Sequence, residues 1–533
     1  MVSHKCIMGD ITPHLFVNRQ NTFFPSLETD LNMAKILFIS VYDINAEGIR
    51  MMSSMLQQSG HQPFIVFMKR LKKGPVRDPV KDWVGVAESG KLFRHAVGKE
   101  ITRTEEDILK SVIRNIDPDA VGFSVCTPTV ETVDRLTKGV RDCFHGPIIW
   151  GGPHPTMMPV ECVEHCDYVC VGEADLAIVE IADSLDKGSR NLEIIEGIVG
   201  RQKNAVSPLP PCRLVDDLDS LPFKDISPDG KFIIDNDQVI PEFKEISYSG
   251  NYHLISARGC PFHCTYCCEA AFKKLYFPHK FLRRRAPARV VEEIKQALEI
   301  IDFPKVRFED EVFPLELTWL EEFHTLYKKN VGLPFVCYLY PMKGLKERLP
   351  LLKDAGLVST VLALQSGSEM INKEVFKRKF KRDVYLESAA LLHAEGINIS
   401  TDVITYNPFE TEQDLQKTLD VLADLPKPFN LDVNKLYILK GTEIDTIVRE
   451  QKPVAQVPEA VFDLYARLFF LTRWSRIGAT LARLISRGSL FKRNRIFGFL
   501  INPYFFNLPF KQVNKIARII RRQKGWKAGL YRQ

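Results

Sequence analysis

The chain has 533 residues, 45% of them hydrophobic and 26% charged, which is the balance of an ordinary globular protein but too long for a single core, so several domains are expected. No stretch reaches the ~18 to 20 unbroken apolar residues of a membrane span; the nearest, IFGFLINPYFFNLPF (496–510), is broken by Pro503, Pro509 and two asparagines. The net charge of +6 hides an asymmetry: from Leu464 to Gln533 there are sixteen Lys or Arg and no Asp or Glu, leaving 56 basic against 66 acidic residues before it.

Residues 1–33 read as an N-terminal extension, and the start, MVSHKCIMGDITPH, lacks the basic and apolar runs of a signal peptide, so a cytoplasmic location is expected. From Ala34, apolar runs alternate with amphipathic stretches: KILFISV, the helical IRMMSSMLQQSG, PFIVFM, AVGFSV (120–125), PIIW (147–150) and DYVCVG (167–172). This alternation predicts a parallel, Rossmann-like sheet over 34–200, with its ligand at the carboxyl ends of the strands. Four loops sit there, VYDINAEG (41–48), SVCTPT (124–129), GGPHPT (151–156) and VGEAD (171–175), and together they can line one crevice. Glycine and proline also end strands for purely local reasons, so no single loop decides the matter. No G-x-G-x-x-G follows the first strand, which argues against NAD or FAD.

Residues 201–250, with SPLPPC and LDSLPFKD, show no helical period and read as a linker or surface strap. Alternation resumes at HLISA and continues through VVEEIKQALEII, VRFED, WLEEFHTLYKK, PFVCYL, LPLLKDAGL, TVLALQSGS, YLESAALLHAEG, ISTDVIT and QDLQKTLDVLADL. Roughly six such units over 251–450 predict a partial (β/α)6 barrel. Residues 451–533 read as a mostly helical, basic C-terminal region, completing an α/β fold.

Directly after HLISA comes ARGCPFHCTYCC, which places Cys260, Cys264 and Cys267 in a C-x3-C-x2-C spacing on one loop. Cysteines in a chain without a secretory signal point to metal rather than disulfides. Three thiolates on a four-iron cube leave one iron free to bind another molecule. A structural zinc, with Cys268 as fourth thiol, and a C-x2-C redox pair are the competing readings.

The loop, with the strand before it and the alternating units after it, resembles the radical S-adenosylmethionine superfamily. The resemblance implies a 4Fe-4S cluster on the three cysteines and S-adenosylmethionine chelated to its open iron. Reductive cleavage there gives a 5′-deoxyadenosyl radical, with an electron donor such as flavodoxin or ferredoxin. It further implies that Tyr266 lies beside the adenine, Glu309 and Asp310 near the cofactor's amino group, and Gln365 and Ser366 near its ribose. Here Gln365 stands where a glutamate is common, and ITYNPFET (404–411) carries Tyr406 and Phe409 where the family usually has glycines.

Residues 34–185 resemble the cobalamin-binding domain that precedes the barrel in the class B methyltransferase-like subgroup. The resemblance implies a cobalamin site built from Asp43, Asn45, Gly48, Ser124, Thr127, Thr129, Gly151, Gly152 and Glu173. Asp43, Asn45 and Gly48 form D-x-N-x-x-G, with asparagine where the cobalt-ligating histidine of D-x-H-x-x-G stands, and a neutral amide is a poor cobalt ligand. The expected reaction is methyl transfer from methylcobalamin to an unactivated carbon. Cyclisation, ring rearrangement or oxidation with the same cofactors is the alternative, and a cobalamin sensor with a structural cluster is the alternative of another class. The expected substrate is a small or lipid-like molecule. The tail is read either as a peripheral membrane contact or as a helical cap packed on the barrel, and no nucleic-acid partner is expected.

Overall fold

The computed structural model describes residues 33–70, 100–201, 209–240, 250–451 and 457–488, with the backbone of three short strands between 74 and 94. The first of its two large sheets has eight strands, in the order Val239–Ile240, Lys231–Ile234, Gln62–Met68, Lys35–Val41, Ala120–Ser124, Ile148–Gly151, Tyr168–Cys170 and Ile198–Gly200. Only the pair at each edge is antiparallel. KILFISV is buried almost throughout, as a continuous apolar run must be in a strand covered on both faces. Ile49, Leu56, Ile178 and Ile181 from helices Glu47–Gln58 and Asp175–Asp186 cover one face. Leu109, Ile113, Val133 and Leu136 from helices Arg103–Ile116 and Val130–Arg141 cover the other.

From Lys35–Val41 the chain first adds a strand on one side, at Gln62–Met68, and then returns to the other, at Ala120–Ser124. Strand order therefore reverses at this pair, and a crevice opens beyond their carboxyl ends. The loops at 41–48 and 124–129 flank it.

Part of the stretch read as a linker is sheet: Lys231–Ile234 pairs in parallel with Ile65–Met68. Polar composition gave it the look of a loop, but its polar groups are buried and paired. Asp225, 6% exposed, accepts from Ser53 Oγ at 2.6 Å and Lys231 Nζ at 2.6 Å, which fixes the strap to helix Glu47–Gln58.

The second sheet runs Tyr252–Leu254, Val306–Phe308, Phe335–Leu339, Leu357–Leu362, Asn398–Thr405 and Asn430–Lys435, six parallel strands in sequence order. This is the partial barrel expected, with helices outside. Helices Glu459–Thr472 and Arg476–Arg487 pack on Glu412–Asp424, the helix after the fifth strand. Phe462, Tyr465, Leu468 and Phe469 join the barrel core, while Arg483 reaches Asp420 at 2.9 Å and Asp424 at 2.7 Å. For residues 457–488 the cap reading therefore holds; the rest of the basic tail, 489–533, lies outside the described residues. Among the described residues, no helix is long and apolar enough to cross a membrane.

Candidate active site

The cysteine loop leaves the first barrel strand and is fixed from beneath. Asp310, 2% exposed, accepts from Ser256 N at 2.7 Å and Ser256 Oγ at 2.9 Å, and also from Ala257 N. Burial pushes its carboxyl up to about 7, although these donors pull the other way. Gly259 follows at φ +87°, where a Cβ would stand 2.7 Å from the Phe281 carbonyl oxygen, so only glycine fits. Further along, Thr265 N donates to Phe376 O at 3.1 Å, Thr265 Oγ1 to Val375 O at 2.7 Å, and Ile444 N to Thr265 O at 2.9 Å. The loop backbone is thus anchored on both sides of Cys264.

Cys260, Cys264 and Cys267 are partly buried. Burial pushes Cys260 up to about 11 and raises Cys264; a hydrogen bond with Cys268, together with burial, raises Cys267. Thiols in this state are neutral, and a metal's charge is what ionises them. Among the described residues, no three His, Cys, Asp or Glu side chains are already gathered as a metal cage. The Cys267 and Cys268 thiols lie together although the residues are adjacent in the chain, because Cys267 is the extended residue before helix Cys268–Leu275 and Cys268 its first turn. Tyr266 packs edge-on to Phe376, ring centroids 4.9 Å apart.

At the barrel rim, Gln365 takes φ 63° and is held between Asp402 O and Ile404 N at 2.8 Å each, with its Oε1 buried and without a partner. Asn407 Nδ2 is buried and unpartnered as well. Ser366 is fully buried, 3.5 Å from Thr418 Oγ1, and a Cβ on Gly367 would lie 2.5 Å from Thr418 Cα. The S-G-S turn is therefore wedged against helix Glu412–Asp424. Tyr406, at φ 59°, stacks on Phe462 at 4.8 Å and hydrogen-bonds Asp463, which ties the rim to the cap.

Glu309 lies where the barrel meets the first domain. It accepts from Arg307 Nε at 2.7 Å and pairs with His253 Nδ1 at 2.6 Å; Asn45 Nδ2 stands 3.4 Å from the same ring nitrogen. Despite its burial, the Glu309 carboxyl is held below the usual range by His253 and Arg307. Arg307 Nη2 continues the chain to the Tyr338 hydroxyl at 2.5 Å. Asp43 Oδ1 accepts from Asn45 N at 2.9 Å, and Asn45 Oδ1 is buried with no partner. Gly48 is exposed at the start of the helix that follows.

Of the other loops, Ser124 ends its strand and Thr127 Oγ1 lies 3.1 Å from His154 Nδ1. Thr129, 6% exposed, spends its hydroxyl on the Cys126 carbonyl at 2.9 Å. Gly151 ends the next strand, and Gly152 takes φ +103° with room for a Cβ only 3.0 Å from Val125 O. Glu173 binds Arg258 at 2.7 Å and also Arg283, while Arg258 grips Asp175 through two bonds of 2.6 and 3.0 Å. Arg258 stands two residues before Cys260, so this pairing holds the cysteine loop to the last loop of the first domain. Asp310, Ser366, Thr129 and Glu173 accordingly shape the site from behind, their polar atoms used within the protein.

Sequence reasoning missed His253, Arg307, Asp402 and Arg378. Arg378, 6% exposed, donates to Ala363 O at 2.7 Å, lies over the Tyr340 ring at 5.2 Å and leaves its Nη1 buried without a partner. Burial pushes Asp402 up to about 6, with Arg378 and Arg307 opposing. Arg307 and Glu309 share one strand face, a period-two signal that was legible.

Residues 254–422 match the Radical SAM superfamily, and residues 91–182 match the B12 binding domain. The anaerobic magnesium-protoporphyrin IX monomethyl ester cyclase of Rubrivivax gelatinosus is 25% identical over 334 residues, 60% of this chain and 56% of that protein. The cytidylyl-2-hydroxyethylphosphonate methyltransferase of Streptomyces wedmorensis is 22% identical over 312 residues, 52% of this chain and 55% of that protein. The chain thus spans just over half the length of these curated relatives. Among solved structures, the radical S-adenosylmethionine methyltransferase TsrM from Kitasatospora setae, with cobalamin and a 4Fe-4S cluster bound, shares the fold: TM-score 0.56, 15% identity, 79% of this chain and 75% of that one.

The chain thus carries a Radical SAM domain, with a B12-binding domain ahead of it. Its cofactors are a 4Fe-4S cluster, S-adenosylmethionine and cobalamin. The residues present fit them: three thiols on one anchored loop, unpartnered Gln365 Oε1 and Asn407 Nδ2 at the barrel rim, and unpartnered Asn45 Oδ1 at the reversal point of the first sheet.

Proposed function

We propose that this enzyme methylates an unactivated carbon of a small or lipid-like substrate. When bound, the cluster and S-adenosylmethionine supply a hydrogen-abstracting radical and methylcobalamin the methyl group, with the electron coming from a flavodoxin- or ferredoxin-type donor. Cys260, Cys264 and Cys267 hold the cluster. Tyr266, Glu309, Gln365 and the Arg378 guanidinium form the S-adenosylmethionine cradle. Asp43, Asn45, Gly48, Ser124, Thr127, Gly151 and Gly152 line the cobalamin crevice. Arg258 and Glu173 keep the two aligned.

The observation that carries the reading is Asn45 at the D-x-N-x-x-G position, whose amide would be a poor ligand to a bound cobalt, with His253, the adjacent imidazole, held by Glu309. A weak lower ligand suits homolytic transfer of a methyl group. The names of the Streptomyces methyltransferase and of TsrM point the same way; the Rubrivivax cyclase supports a second reading, ring closure without methyl transfer.

The test is anaerobic incubation of reconstituted enzyme with methyl-deuterated S-adenosylmethionine and an extract of small molecules and lipids from the source cells. A product carrying the intact trideuteromethyl group is expected; 5′-deoxyadenosine with an unlabelled, dehydrogenated or cyclised product would overturn methylation in favour of the second reading. Independently of turnover, the electron paramagnetic resonance of protein-bound cobalamin reduced to Co(II) should lack nitrogen superhyperfine splitting. A three-line pattern would contradict the ligand assignment, and its loss in a His253→Gln variant would identify the nitrogen.

A further inference from the structure

The cysteine loop turns an outer side to solvent: Pro261 and His263 are exposed, whereas Thr265, just beyond Cys264, is buried. Two further segments are fixed to that side. Helix Cys268–Leu275 brings Lys273, whose ammonium donates to Pro261 O and His263 Nε2 at 3.2 Å each, with Lys274 beside it. The turn around Phe376 is held by the Thr265 N–H on its carbonyl and by the Tyr340 hydroxyl on Lys379 O, and the Tyr340 ring stacks on Phe262 at 4.0 Å. Lys377 and Lys379 are exposed there, on either side of the buried Arg378.

The lysines at the tip of the loop outnumber the carboxylates that meet them. Glu443 is shared between Lys274, at 3.6 Å, and Lys377. Lys273 and Lys379 have no carboxylate partner among the described residues, and Lys373 is matched by its neighbour Glu374 at 2.9 Å. The exposed His263 accordingly feels Lys273, Lys274 and Lys379 against Glu443 alone. This positive face stands on an acidic body, since the chain before Leu464 has 56 basic against 66 acidic residues. Phe277, three residues after Lys274, is 82% exposed and offers an aromatic anchor of the kind enriched in protein interfaces.

Position selects the occupant. The face is built on the loop that carries the cluster cysteines, and each cleavage of S-adenosylmethionine draws one electron from outside the chain. We propose that Lys273, Lys274, Lys377 and Lys379, with Phe277 at their edge, form the docking surface for an acidic one-electron carrier protein of the flavodoxin or ferredoxin type, an inference that rests on the radical reading above. In each encounter the carrier is oxidised by one electron and the cluster reduced by one, and no proton or group passes between the two proteins. Charge complementarity of this kind sets encounter rate and specificity.

The test takes reconstituted full-length enzyme, a bacterial flavodoxin as the probe, and a Lys274→Glu, Lys379→Glu variant, in which both substituted positions are exposed and Glu443 keeps Lys377. Calorimetric titration at low ionic strength should give a Kd about tenfold higher for the variant, and added salt should weaken binding by the parent more than by the variant. Formation of 5′-deoxyadenosine driven by limiting reduced flavodoxin should fall by a similar factor, while formation driven by dithionite stays unchanged and shows that loop and cluster are intact. A variant that binds flavodoxin like the parent would overturn the docking surface, as would equal losses with both reductants. Weakened binding of the variant to anionic vesicles or duplex DNA, with flavodoxin binding intact, would overturn it by giving the lysines to that ligand. A parent that binds flavodoxin through these lysines yet forms no 5′-deoxyadenosine with either reductant would overturn the radical reading and leave the docking surface standing.

Discussion

Reconstituted anaerobically, a Cys264→Ala variant will produce no 5′-deoxyadenosine, while Cys268→Ala will cleave S-adenosylmethionine like the parent. The contrast follows from where the two thiols sit. Thr265 pins the backbone beside Cys264 through three hydrogen bonds made by its own main chain and hydroxyl, so the substitution removes a thiol and leaves the loop in place. A cube left with two protein thiolates does not persist, and bound iron should fall well below the roughly four atoms of an intact cluster. Cys268 opens a helix, and its thiol contacts the Cys267 thiol, which a cluster would claim. Iron content and cleavage are separate readouts: full cleavage by Cys264→Ala would sink the assignment, and loss of iron in Cys268→Ala would make that residue a ligand.

The second large effect is expected at the junction of the domains. Glu173→Ala removes the carboxylate from Arg283, which is 3% exposed, and leaves Arg258 with Asp175 alone. Stranding a buried guanidinium in this way costs about 3–5 kcal/mol. Glu173 is itself partly exposed, so the lower part of that range applies. Denaturant unfolding should show the first transition moved to lower denaturant, and cleavage should fall because Arg258 directs the approach to Cys260. Glu173→Gln, which keeps the shape and one acceptor, should recover part of both losses. An unchanged midpoint in Glu173→Ala would show that the pairing adds nothing to the join.

Much of this architecture was legible in the chain because its strands are short apolar runs that end in glycine, threonine or proline turns. KILFISV, AVGFSV and PFVCYL could hardly be anything else, and the C-x3-C-x2-C spacing is local chemistry on a single loop. What stayed hidden depends on distance along the chain. Lys231–Ile234 becomes a strand only by pairing with a segment 166 residues earlier, and no period within four residues announces that. Asn430–Lys435, NLDVNK, alternates polar side chains because one of its faces looks into the barrel. Glu309 was picked out by resemblance, but its partner His253 comes from another strand, and Asn45, which meets the same imidazole, from another domain. Arg378 follows a π-turn that matches no motif, and only the fold reveals that part of its guanidinium is buried and unpaired.

Tyr406 sets a condition on anyone who would exchange the last helices for those of a relative. Its ring lies on Phe462 and its hydroxyl on Asp463, so the barrel's fifth strand and the following cap recognise each other through a residue outside both helices. A chimera carrying a foreign cap would leave that hydroxyl stranded and a bulky ring at a left-handed backbone position held only by the Lys435 ammonium over its face. Recombination at this seam therefore works only as a matched exchange, with position 406 returned to glycine whenever the helix bearing Asp463 is replaced.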